Sequence, residues 1–220
     1  RSASISAMLA GVSYIIVGMF HPPNVLASVA TPAWAIVHVF AISTCFFGLF
    51  GIAGLYVRQA EKSRWLSLAG FVMLSLWLAI VMGFSFVEAL ILPRLATQSP
   101  AFVDAILGMF AGSTSDIDLG ALPLVWTLSG PLYMLGGLLF GIATFRAGIL
   151  PRWAGVLLAV GTALAPVAAL LPPEAEPKVA LPVGTALAWL GYALLTERHT
   201  AVSELVPGIA SPQIRQPITE

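Results

Sequence analysis

The sequence predicts an all-α fold, a polytopic transmembrane bundle of six helices with both termini on the cytoplasmic side, and three observations predict it. Hydrophobic residues fill 59% of the 220 positions and charged residues only 9%, whereas a soluble domain carries about a quarter charged residues. The apolar residues gather into six runs near the length that a bilayer core demands, roughly 20 residues of helix. The cations between those runs fall on one side, the arrangement that orients membrane proteins.

The first run covers 5–20. Five comparable runs follow it, and no small-residue cleavage site precedes His21-Pro22-Pro23, so it reads as a retained helix and not as a signal peptide. The second covers 32–57 after a Pro-rich loop, and the third covers 65–92, stopped by Pro93-Arg94. The fourth, fifth and sixth cover 122–145, 153–171 and 179–195. Runs one, five and six are short, and runs two and three have length to spare, which a tilt accommodates. In the long outer loop Ser99-Pro100 makes an N-cap and first-turn pair. Behind it Phe102, Val103, Ile106, Leu107, Met109 and Phe110 form one apolar face with Asp104 opposite, so a short amphipathic surface helix is expected over Ser99 to Ala111. Residues 1–196 read as a single transmembrane domain, and 197–220, with three prolines, as a loosely ordered cytoplasmic tail.

Arg1, Arg58, Lys62, Arg64, Arg146, Arg152, Arg198 and Arg215 share one side of a six-pass arrangement, and only Arg94 and Lys178 lie on the other. The positive-inside rule therefore puts both termini in the cytoplasm of a multi-pass plasma-membrane protein. Asp104, Asp116, Asp118, Glu174 and Glu176 all fall in outer loops. Trp34, Trp65, Trp126, Trp153 and Tyr192 lie near the ends of runs and read as an interfacial aromatic belt.

Several function classes drop out. The formal net charge is zero and there is no Lys/Arg run, so nucleic acid is not a partner. The lone Cys45 lies inside an apolar run and reads as a small buried hydrophobe. No nucleophile, base and orienting group occur at a readable spacing, which speaks against a conventional hydrolase or transferase. Glycines at 51, 54, 136, 137, 141, 155 and 161 supply small faces for close helix approach. Beyond the lipid bilayer itself, such faces could serve a protein partner or a homo-oligomer, and an accessory subunit of a larger membrane complex is one alternative reading; a small transporter or channel is another. Pro131 in run four is expected to kink its helix and free a carbonyl.

Ionisable side chains within an apolar run are costly and need a reason. His38 lies six residues into run two, roughly 9 Å below its outer end at 1.5 Å per residue. Glu88 precedes Pro93 by five residues on a run of opposite direction, which places it at a similar depth, and His21 closes run one at the same face. Two imidazoles and a carboxylate converging there make a candidate ligand-binding or metal site of His21, His38 and Glu88, with zinc, copper or non-haem iron as possible occupants. Alternatively, the two histidines could ligate a haem iron axially. Without a metal, a His–Glu pair could bind or relay a proton or recognise a polar head group. The blander alternative is that His21 is an interfacial residue and that His38 and Glu88 only satisfy one another. Trp77, at the middle of run three, is a further candidate as a cavity wall. His199 has no partner that the sequence identifies.

The segment Leu49-Phe50-Gly51-Ile52-Ala53, followed by Arg58, Arg64-Trp65 and Gly70, is echoed by Leu139-Phe140-Gly141-Ile142-Ala143, followed by Arg146, Arg152-Trp153 and Gly155. This is either a parallel duplication of a hairpin or convergence on residues that membrane helices favour. His-Pro-Pro after run one, Pro-Ala-Trp opening run two, Gly-Leu-Tyr-Val-Arg-Gln at 54–59, Glu88 before Leu-Pro-Arg and Leu-Pro-Arg-Trp at 150–153 together give a pattern. Across residues 5 to 196 it resembles a group of small bacterial membrane proteins of unknown function. That resemblance implies a six-helix bundle in a bacterial plasma membrane and no particular activity.

Overall fold

The computed structural model describes residues 1–168, 170–172 and 175–205, with side chains described through 197 except that of 168. Among the described residues every regular element is helical. In chain order these are α1 (Ser2–Phe20), α2 (Leu26–Val29), α3 (Pro32–Phe86), a π-helical turn (Val87–Ile91), α4 (Leu92–Gln98) and α5 (Pro100–Phe110). They continue with α6 (Leu122–Ala147), α7 (Arg152–Ala163), α8 (Ala165–Ala168), a 3-10 turn (Glu176–Val179) and α9 (Ala180–Leu205).

The longest element, α3, is a hairpin. Arg64 adopts φ 39° and ψ −121°, a conformation that costs a non-glycine residue of order 1–3 kcal/mol, and it reverses the chain within one residue. Gln59 Nε2 donates to Ser67 Oγ at 2.9 Å, the Tyr56 and Phe71 rings stack at 4.8 Å, Gly48 faces Leu78, and His38 meets Glu88. Each step along the first arm, 32–63, is matched by a step back along the second, 65–86. The expected basic loop over 58–64 is thus helix almost throughout.

Neighbouring segments run antiparallel and pack through small residues. Gly51 lies against the Ala7 backbone of α1, Gly11 and Gly18 of α1 meet Gly184 and Ala180 of α9, Gly70 and Gly136 join the second arm to α6, Gly141 and Gly155 join α6 to α7, and Gly161 meets Val183 of α9. The last helix therefore closes on the first. These glycines all face the chain's own helices, so a partner would have to find another surface. The echoed segments are used differently. Gly51 packs on the preceding helix and Gly141 on the following one, while Phe50 is 55% exposed and Phe140 fully buried.

Among the described residues four stretches are long and apolar enough to cross a membrane: Ser2–Phe20, Pro32–Gln98, Leu122–Ala147 and Glu176–Glu197, the second of them folded at Arg64. Those apolar helices suggest a membrane protein. The fifth run is shorter than its expected 153–171, because Pro166 lacks an N–H and its ring crowds the carbonyl four residues back, and α7 stops at Ala163. The third run does not stop at Pro93 but continues through the π-helical turn into α4. Helix α6 runs unbroken through Pro131, with Ser129 Oγ donating to the Trp126 carbonyl at 2.6 Å. Helix α9 is helical to Leu205. Glu174 and Arg215, and the side chains of Arg198 and His199, lie outside the described residues.

The amphipathic helix forms as α5. Its Val103, Ile106, Leu107 and Met109 are buried against Val29, Trp34, Phe84 and Leu92, and Phe84, Phe110 and Trp126 meet edge-to-face. Together α2, α4 and α5 roof one end of the bundle.

Candidate functional site

Under that roof lie His21, Trp34, His38 and Glu88. Thr31 caps the N-terminus of α3, its Oγ1 accepting from Trp34 N–H at 3.3 Å. Trp34 and His38, one helical turn apart, therefore share a face, with ring centroids 4.3 Å apart. His38 Nδ1 lies 2.7 Å from the Trp34 carbonyl oxygen. A carbonyl only accepts, so Nδ1 carries the hydrogen, and Nε2 is the atom turned to Glu88 Oε1 at 3.4 Å. The side chains of this pair are 3% and 12% exposed.

How Glu88 reaches that position follows from the turn it occupies. In the π-helical turn the Leu92 N–H donates to the Val87 carbonyl oxygen, five residues back. The next position is Pro93, which has no N–H to give. The Glu88 carbonyl is left without a partner in its own helix, and Trp34 Nε1 donates to it at 2.9 Å. A closed circuit results: Trp34 binds the Glu88 backbone, the Glu88 carboxyl faces His38, and His38 binds the Trp34 backbone.

His21, the residue closing α1, contacts both rings, with centroids 5.8 Å from Trp34 and 5.1 Å from His38. Its Nδ1 donates to the Pro22 carbonyl oxygen at 2.7 Å. Burial, reinforced by the neighbouring His38 and opposed by the bond to Pro22, pushes its pKa down to about 4, so His21 is an uncharged imidazole at neutral pH.

Three of the four residues singled out in the sequence are thus brought together. The fourth, Trp77, is elsewhere, packed at 4.4 Å on Tyr133 and at 6.3 Å on Tyr14, whose hydroxyls are 3.3 Å apart. Sequence reasoning missed Trp34, assigned to the aromatic belt but fully buried; its spacing of four from His38 was the available signal. Trp65 and Trp153, by contrast, are 78% and 70% exposed.

Chemically the circuit could hold a proton. With Nδ1 committed, an unprotonated Nε2 and a carboxylate oxygen would face each other as two lone pairs. One proton between them, on either atom, removes that repulsion. Among the described residues no three of His, Cys, Asp and Glu are grouped so as to hold a metal ion. The two imidazoles also touch edge-to-face, whereas a haem would stand between its axial ligands. In comparisons with known proteins, the chain matches no family model, no curated protein and no solved structure.

Proposed function

We propose that the chain is a multi-pass membrane protein that binds one exchangeable proton at the His38–Glu88 pair, just beneath the outer face. The observation that carries this reading is the hydrogen bond from His38 Nδ1 to the Trp34 carbonyl, which turns Nε2 toward a carboxyl that is itself largely buried. Titratable pairs within membrane segments characteristically serve proton relays and ion pathways. On this reading the chain crosses the bilayer six times with both termini inside. On this reading the four long apolar stretches among the described residues, the second folded into two arms, supply five crossings and the shorter α7 the sixth; the cations at one end of the bundle support it: Arg58, Lys62 and Arg64 at the hairpin bend, and Arg146 and Arg152 between α6 and α7.

Infrared difference spectra across a pH titration test the proton site. A protonated-carboxyl band that titrates, disappears in Glu88→Gln and moves to a different pH in His38→Gln is the expected result. A titration untouched by both substitutions would refute the pair. For the topology, a membrane-impermeant thiol reagent applied outside, in a Cys45→Ala background, should label Ser113→Cys and miss Ser63→Cys, and the opposite pattern would invert the orientation.

A further inference from the structure

The position of Glu88 depends on a register defect in its helix, and one residue accounts for the defect. In an unbroken α-helix the Leu92 N–H would bond to the Glu88 carbonyl, four residues back, and residue 93 would bond to Ala89. Here the Leu92 N–H bonds instead to Val87, and the Glu88 carbonyl is taken by Trp34 Nε1 from the opposite arm, 54 positions away in sequence. Each residue turns an α-helix by about 100°. A helix that holds one extra residue in a turn therefore presents Glu88 in a direction that a regular α-helix leading into α4 would not. Such single-turn π segments recur at functional sites because they re-aim one side chain.

We propose that Pro93 and Trp34 are positioning residues that act together. In the register of the π-helical turn Pro93 has no N–H to give the Glu88 carbonyl, and in an α register its ring would crowd the Ala89 carbonyl; Trp34 binds the Glu88 carbonyl so left free, which locks the register in which the Glu88 carboxyl meets His38. This inference rests on the reading of the pair as a proton site, and deepens it by naming what sets the geometry. The roof contributes no competing charge: Arg94 on α4 and Asp104 on α5 are exposed, and the titratable side chain in ring contact with His38 is His21.

Pro93→Ala restores the N–H and is a better helix former, so the thermal midpoint should hold or rise while the pH midpoint of the Glu88 carboxyl band shifts by about one unit or more. A proline with only a structural role would change the melt and leave the titration in place. A double-mutant cycle gives a second readout. Trp34→Phe strands the Glu88 carbonyl in the natural chain, whereas in Pro93→Ala the Leu92 N–H can take that carbonyl, so the second loss should be clearly smaller. An unshifted titration together with additive melts would overturn the inference. If the natural chain shows no Glu88 titration at all, the proton reading fails, while the cycle still decides whether Pro93 and Trp34 are coupled.

Discussion

Gly70→Ala is expected to lower the thermal or denaturant midpoint sharply, although it adds a single methyl. A Cβ at this position would lie 2.5 Å from the Phe140 backbone nitrogen, 2.8 Å from Phe140 Cα and 2.9 Å from the Gly136 carbonyl oxygen. Overpacking ordinarily costs about 1–3 kcal/mol, and here the upper end applies because the obstacle is backbone, with no flexible side chain to swing aside. The second arm of α3 and α6 would have to separate along their length. Gly83→Ala is the matched control on the same arm, since nothing lies within 4 Å of its added methyl. There the change should be neutral or stabilise by roughly 0.5–1 kcal/mol. Equal losses at both positions would show that close approach between the helices is not what holds them.

Trp34→Ala should be the most damaging single substitution in the roofed end, at about 3–5 kcal/mol for a large aromatic removed from a closed site. Several losses coincide. The ring is fully buried, the Glu88 carbonyl loses its donor, and the imidazoles of His21 and His38 lose the surface against which they rest. The effect should be read as unfolding midpoint and also as infrared titration, because the freed Glu88 no longer meets His38 in a fixed geometry. A variant that melts like the natural chain would show that the circuit contributes nothing to stability.

Much of this was legible from hydrophobic pattern and proline placement, and the parts that were not share a cause. An apolar run reports how deep a residue lies along the helix axis, so His38 and Glu88 could be placed at one level from their distances to Thr31 and Pro93. It does not report rotation about that axis. Trp34, near the end of a run, looked like an interfacial anchor because lipid-facing and core-facing tryptophans at one depth have the same sequence signature. Depth alone suggests a cavity wall for Trp77, which packs on Tyr133. The π-helical turn left a trace in Glu88 and Pro93 five positions apart, but whether a proline there ends a helix or shifts its register depends on the donor that the opposite arm offers. The extent of α7 was overestimated because an apolar run continues past Pro166 while its helix does not.

The closure of α9 on α1 has a consequence for how the chain is made. The hairpin of α3 can zip from Arg64 outward as soon as both arms exist, and Trp34 can find Glu88 early. The seam between Gly11 and Gly184 must wait until α9 has been synthesised. Until then the nascent protein is an open ring whose first helix exposes the narrow groove at Gly11 and Gly18 to whatever surrounds it. The contact of α9 with α1 therefore seals the bundle, and a chain truncated before Ala180 would retain the circuit's residues while leaving the bundle unzipped along one side.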